Sequence, residues 1–229
     1  MRDEQGENVE IVEKTEIDGL HWERNSFFRT GEKNRILLTS ENSLFSTIVW
    51  HGDSPSESEY PHFALHFAGD DRLTFVNGKG IEGEFVDCRK DSPTLHKHIK
   101  MKWDADPDRR LVVRAGIAHW FKNLSSVVTR NEPVLRWDPE PDPLFSQGVD
   151  IFNINPTEEA NRFPVISPHR YVLPLEFHAS FAKQQRKWAK QVKFFPTRVQ
   201  IGDAIYLLAA KIDGGPTAAD LRRLPKAPT

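Results

Sequence analysis

A succession of short apolar runs broken by turn residues constrains this 229-residue chain more than any other feature. The runs are Arg35 to Thr39, Phe45 to Trp50, His62 to Phe67, Arg72 to Val76, Gly83 to Cys88, His98 to Trp103, Arg110 to Arg114 and Val134 to Trp137. They are rich in Val, Ile, Phe and Leu, and Gly, Asp, Asn and Pro punctuate them. That pattern predicts short antiparallel strands closed into a barrel or sandwich. The expected fold class is mainly β, and a chain of this length suits a single domain.

One segment breaks the pattern. Phe181, Trp188, Val192 and Phe195 recur at helical spacing among Lys183, Arg186, Lys187, Lys190 and Lys193, and Pro196 stops the run. This predicts a basic amphipathic helix whose aromatic stripe packs on the barrel and whose lysines are solvated. Arg198 to Ile201 and Ala204 to Ala209 then read as a closing β-hairpin around Gly202-Asp203. The polar residues 1–10 are expected to be a disordered N-terminus, 11–212 one domain, and the Gly- and Pro-rich 213–229 a flexible tail. Asp53 to Glu59 reads as a long mobile loop.

Charge and cysteine content narrow the setting. The net charge is −2, with acidic residues crowding the start and basic ones the predicted helix, which gives no case for a nucleic-acid partner. The lone Cys88 excludes an intrachain disulfide and fits a reducing cytoplasm. No apolar run approaches the roughly 20 residues that cross a bilayer, and the acidic start is unlike a signal peptide. A soluble, cytoplasmic protein with no membrane partner is the expectation.

The stretch from Glu84 through Val86-Asp87-Cys88-Arg89-Lys90-Asp91-Ser92-Pro93-Thr94, followed by Leu111 to Phe121 with Ala118-His119-Trp120-Phe121, resembles the core of the dTDP-4-dehydrorhamnose 3,5-epimerase family. The resemblance is strongest from Arg72 to Phe121 and extends from about Arg24 to Pro174. It implies a cupin-like double-stranded β-helix, or jelly roll, acting as a homodimer on a small-molecule substrate such as a dTDP-sugar. His66, within His62-Phe63-Ala64-Leu65-His66-Phe67, takes the place of the family's general base. Arg72 stands where the family has a lysine that stabilises an enolate oxygen, and His119 stands in the family's pocket motif. Arg24, in Trp22-Glu23-Arg24-Asn25-Ser26-Phe27-Phe28, takes the place of a nucleotide-diphosphate ligand. Histidine suits abstraction of a proton beside a ketone because its pKa lies near neutrality. The enolate then needs positive charge or hydrogen-bond donors nearby, and Arg72 and His119 are the candidates. Strand alternation points His62, Ala64 and His66 to one face.

Several residues depart from the family pattern. Phe63 replaces an arginine, and the spacing from His66 to Arg72 is shortened, so His51 is an alternative base. No tyrosine acid lies between Phe121 and Pro139, and Arg170 replaces the aspartate that orients the catalytic histidine. These losses favour a single epimerisation, a ketoisomerisation or an elimination over double inversion. A catalytically silent binding or scaffold protein is the first alternative, and a metal-dependent cupin enzyme the second. For the latter the chain offers His62, His66, His96, His98 and His119, and the His96-Lys97-His98 spacing places both rings on one strand face. The motif context favours neither a metal ligand set nor a cofactor, so none is assigned. Trp120, Phe121, Trp137 and Phe145 read as core or interface aromatics, and Cys88 as a buried structural thiol.

Overall fold

A computed structural model of the chain describes residues 10–30, 34–37, 46–54, 58–149, 151–173, 197–201, 204–208 and 221–223. The chain forms two compact units, Met1–Leu175 and Glu176–Thr229, a division that falls inside the stretch expected as one domain. The predicted helix from Phe181 to Phe195 lies outside the described residues, as do residues 1–9, 55–57 of the expected loop and most of 213–229.

The first unit opens with β1 (Ile11–Lys14), β2 (Leu20–Arg24), β3 (Phe27–Thr30), β4 (Asn34–Leu37) and β5 (Thr47–Trp50). Next come β6 (Phe63–His66), β7 (Gly69–Phe75), β8 (Ile81–Asp87), β9 (His98–Trp103) and β10 (Arg109–Val113). The unit continues through β11 (Ile117–Lys122), β12 (Val128–Asn131), β13 (Val134–Trp137), β14 (Ile151–Ile154) and β15 (Tyr171–Val172). A one-turn helix, α1 (Pro143–Ser146), starts after Asp142, whose side chain accepts from the Leu144 N–H.

One antiparallel sheet runs β1-β2-β10-β7-β12-β5, with β13 attached beside β7 and β15 beside β13, and the other runs β14-β6-β11-β8-β9. From β6 onward the chain crosses repeatedly between them: β6 in the second, β7 in the first, β8 and β9 in the second, β10 in the first, β11 in the second, β12 in the first. Such crossing is the mark of a jelly roll, and the expected mainly-β architecture is what forms. The core between the sheets takes Trp22, Leu73, Phe75, Leu111 and Val113 from the first sheet and Ile81, Phe85, Trp103, Ile117 and Phe121 from the second.

Alternation along each strand decides what faces this core. In β7, Leu73 and Phe75 point inward, so Asp71 shares their face while Asp70, Arg72 and Thr74 take the other. In β6, Phe63 and Leu65 join a second apolar cluster with Val86, Cys88, Ala118 and Trp120 on the reverse of the second sheet. The residues between them, Ala64 and His66, are left to the interior.

The motif around Asp87 is structural. Asp87 is completely buried, and its carboxylate accepts from Arg89 (2.9 and 2.7 Å), Ser92 (2.5 Å) and Thr94 (2.6 Å). Burial alone would raise its pKa, but these donors outweigh it and hold the carboxyl below its ordinary value. One ionised side chain thereby fixes the loop between β8 and β9. His96 lies in that loop at φ 61°, so strand alternation does not govern it. The expected one-face pairing of His96 with His98 is corrected accordingly: His98, at the head of β9, instead meets Glu84 at 3.0 Å.

In the second unit, β16 (Thr197–Ile201) and β17 (Ala204–Leu208) pair antiparallel across the Gly202-Asp203 position, as the hairpin pattern predicts. A third strand, β18 (Leu221–Arg223), pairs with β17 within the stretch expected as a tail.

Candidate active site

Two rows of registered residues build the walls of an interior cavity. Across the second sheet, Asn153 of β14 opposes Ala64 of β6, Ala64 opposes His119 of β11, and His119 opposes Phe85 of β8. Across the first, Thr47 of β5 opposes Asn131 of β12, and Asn131 opposes Leu73 of β7. Residues in register share a face, so polar Asn153, His119, Thr47 and Asn131 all turn toward the gap between the sheets. The gap holds a cavity of about 350 Å³ to which His51, Tyr60, His62, His66 and Asp71 also contribute. Phe75, Phe121 and Leu124 provide apolar lining.

At the end where β6 turns into β7, three side chains converge. Asp71 Oδ2 lies 3.6 Å from His66 Nε2 and 3.3 Å from His119 Nε2. The two imidazoles are nearly parallel, with ring centroids 5.5 Å apart and planes at 28°. Asp71 is held from behind by Asn131, whose Nδ2 donates to Oδ1 at 2.7 Å while its Oδ1 accepts from the Arg72 N–H at 3.1 Å. His119 Nδ1 lies 3.3 Å from the Ile117 carbonyl, which can only accept, so that nitrogen carries the proton. Burial pushes the His119 pKa down; the Asp71 charge opposes this, and His66 adds to the fall. His119 is buried, and His66 keeps a third of its side chain exposed.

Tyr60 sits on the wall beside this group. Its backbone N–H donates to the Phe121 carbonyl at 3.1 Å, and its ring packs edge-on against His51 and Phe121 at centroid distances of 5.8 and 6.3 Å. Burial, then the Asp71 charge, raise its pKa above the ordinary phenol value. The phenol therefore stays protonated at neutral pH.

Of the residues expected at the site, His66 and His119 come together and the alternative base His51 faces the same cavity, where its Nε2 meets Thr129 Oγ1 at 3.2 Å. Arg72 does not. It occupies the opposite face of β7, is 3% exposed, and its Nε donates to the Glu132 carbonyl at 2.8 Å. The expectation that His66 and Arg72 project into one hollow is thus corrected: five residues beyond His66, the inward position belongs to Asp71. The signal was legible, because with Leu73 and Phe75 inward a period of two puts Asp71 inward and Arg72 outward. No lysine or arginine lines the cavity among the described residues. Arg24 is also away from it, half exposed on β2 and paired with Glu10 at 2.9 Å. Arg170 forms a two-pronged pair with Asp138 (2.6 and 2.7 Å) in a separate surface depression. Sequence spacing does not mark Tyr60 as a neighbour of the histidines. Tyr60 precedes β6 in sequence and meets Phe121 only in space.

No family model matches the chain, and no curated protein matches it. Among solved structures, a dTDP-4-dehydrorhamnose 3,5-epimerase from Bacillus anthracis with TDP and PPi bound is similar at 17% identity and a TM-score of 0.48, over 70% of this chain and 93% of that one. NovW of Streptomyces spheroides, a 4-keto-6-deoxy sugar epimerase, is similar at 14% identity and a TM-score of 0.47, over 76% and 92% of the two chains. The RmlC epimerase of Mycobacterium tuberculosis gives 13% identity and a TM-score of 0.47, over 81% and 100%. Among the described residues, no helix is long and apolar enough to cross a membrane.

Proposed function

We propose that the chain is an isomerase- or epimerase-like enzyme that removes a proton beside the carbonyl of a small substrate held in this cavity. The observation that carries the reading is the placement of His66, partly open to the cavity, with the Asp71 carboxylate 3.6 Å from its Nε2. His66 takes the proton from the carbon next to the carbonyl, and the bonding electrons move to the carbonyl oxygen. The Asp71 charge stabilises the imidazolium so formed. The enolate oxygen needs a donor, and with Arg72 turned away the protonated phenol of Tyr60 is the group on the cavity wall that suits it. Return of a proton to the opposite face of the same carbon completes an epimerisation; where that carbon bears a hydroxyl, transfer of the hydroxyl proton to the enolate oxygen and return of the abstracted proton to the former carbonyl carbon completes a ketoisomerisation. The substrate class that the sequence resemblance favours is a nucleotide-linked 4-keto-6-deoxy sugar, bound by a homodimer.

The test is deuterium uptake. The protein is incubated in heavy water with dTDP-4-keto-6-deoxyglucose, and the sugar carbons are followed by mass and proton resonance. Uptake that His66→Ala abolishes supports the reading. Uptake that survives the substitution removes His66 as the base, and tight binding with no uptake favours the catalytically silent module.

A further inference from the structure

We propose that His66, Asp71 and His119 form a binding site for one divalent transition cation of the zinc class, with its remaining coordination positions open to the cavity. The spacing of the three side chains matches the ligand shell of a small cation. One ligand atom from each residue lies within 4.8 Å of the others, and Asp71 Oδ2 is 3.6 and 3.3 Å from the two Nε2 atoms. Ligands bound at about 2.0–2.2 Å around a tetrahedral ion stand about 3.4 Å from one another. A hydrogen bond from an imidazole N–H to a carboxylate would be shorter, about 2.7–2.9 Å if charged.

With the Nδ1 proton of His119 committed to the Ile117 carbonyl, the neutral ring turns the lone pair of Nε2 toward a carboxylate oxygen that also offers only lone pairs. Two acceptors facing each other repel unless a positive charge lies between them. A cation at the centre of the group satisfies His119, His66 and Asp71 at once, whereas a single proton satisfies one pair.

The surroundings supply the outer contacts that metal ligands ordinarily have. His119 is oriented by a backbone carbonyl through its other nitrogen, and the free oxygen of Asp71 is held by Asn131. Such contacts fix the tautomer and the ring direction before the ion arrives. Two nitrogens and one oxygen suit zinc, cobalt, nickel or ferrous iron better than magnesium or calcium, which take oxygen ligands. Three protein ligands with an open side are the arrangement of a reactive site, since structural zinc sites close all four positions. A cation on the Nε2 atom of His66 places positive charge on the ring and so lowers its basicity toward a substrate proton.

The experiment uses the full chain, stripped with a chelator and titrated with cobalt(II) under visible absorption and with zinc(II) by calorimetry. The expected result is one cation per chain, with the strong visible bands of four- or five-coordinate cobalt. Asp71→Asn and His119→Ala should each abolish the bands while circular dichroism stays that of the parent. Asn131→Ala, which touches no ion, should weaken affinity about 10- to 100-fold. Absence of stoichiometric cobalt in the folded parent overturns the proposal, as does binding that persists unchanged in both ligand variants. Deuterium uptake by the stripped protein is measured in parallel. Uptake without cobalt binding removes the cation site alone, and cobalt binding without uptake by the stripped form removes the proton-transfer reading alone.

Discussion

Asp71 and His119 belong to strands of opposite sheets, yet Asp71 Oδ2 and His119 Nε2 stand 3.3 Å apart. Nothing in their sequence separation brings them together. Two facing sheets, each with an inward-turned polar residue at the same level, bring an acid from one wall to a base on the other. The cavity's chemistry depends on that crossing and on the packing that supports it.

Tyr60→Phe removes the phenol while keeping the ring that packs on His51 and Phe121. Proton exchange should fall by about 10²- to 10³-fold, the usual worth of one donor to a developing oxyanion, with little change in melting temperature. Because burial and Asp71 raise the Tyr60 pKa, the protonated donor persists beyond the ordinary phenol value of 10.0. The alkaline limb of the parent's exchange profile should therefore lie above pH 10, which a rate-against-pH series measures.

Arg72→Met tests the corrected orientation. Loss of a buried guanidinium that donates to the Glu132 carbonyl should destabilise the fold by about 1–3 kcal/mol in urea unfolding. Exchange per folded molecule should stay within about twofold, since the side chain faces away from the cavity; a fall of the size predicted for Tyr60→Phe would return Arg72 to the chemistry.

Asp87→Ala leaves the largely buried Arg89 guanidinium and the Ser92 and Thr94 hydroxyls without their common acceptor. A loss of about 3–5 kcal/mol is expected, as for other broken buried pairs. The pH dependence has a definite sign. Asp87's folded-state pKa lies below its ordinary 3.8, so its contribution is fully present above that value and is lost as pH falls toward the folded-state pKa. The variant should show a shallower loss of stability on acidification, seen in denaturation midpoints below pH 4.

Cys88 is fully buried and burial raises its thiol pKa to about 12. The native protein should not react with a thiol reagent at pH 8, and one equivalent should react after unfolding. Rapid labelling of the native form would show that the reverse face of the second sheet opens readily.

The apolar runs matched strands wherever one face of the strand meets hydrocarbon. His98–Trp103 and Val134–Trp137 form with the ends read from sequence, and β6, β7, β8 and β10 within a few residues of them. β12 and β14 fall outside the apolar runs. β12, Val128–Asn131, alternates inward Thr129 and Asn131 with outward Val128 and Arg130, because it lines a polar cavity and not the core. β14 contributes inward Asn153 for the same reason. A polar residue on the cavity face interrupts the apolar inner row by which a core strand is recognised.

His66 and His119 were candidates from sequence, since histidine in such runs is chemically distinctive, and the period of two already placed His62, Ala64 and His66 on one face. The chain's local pattern thus determined a mainly-β fold, the faces of its strands and the kind of group available for catalysis. Which groups meet was decided by tertiary structure: the β6–β7 crossover brings the inward Asp71 opposite the imidazoles, and the pairing of Tyr60 with Phe121 carries a phenol to the cavity wall. The physical reason is that alternation is a short-range rule of the backbone, whereas the distance across a sandwich depends on hydrogen-bond register between strands remote in sequence.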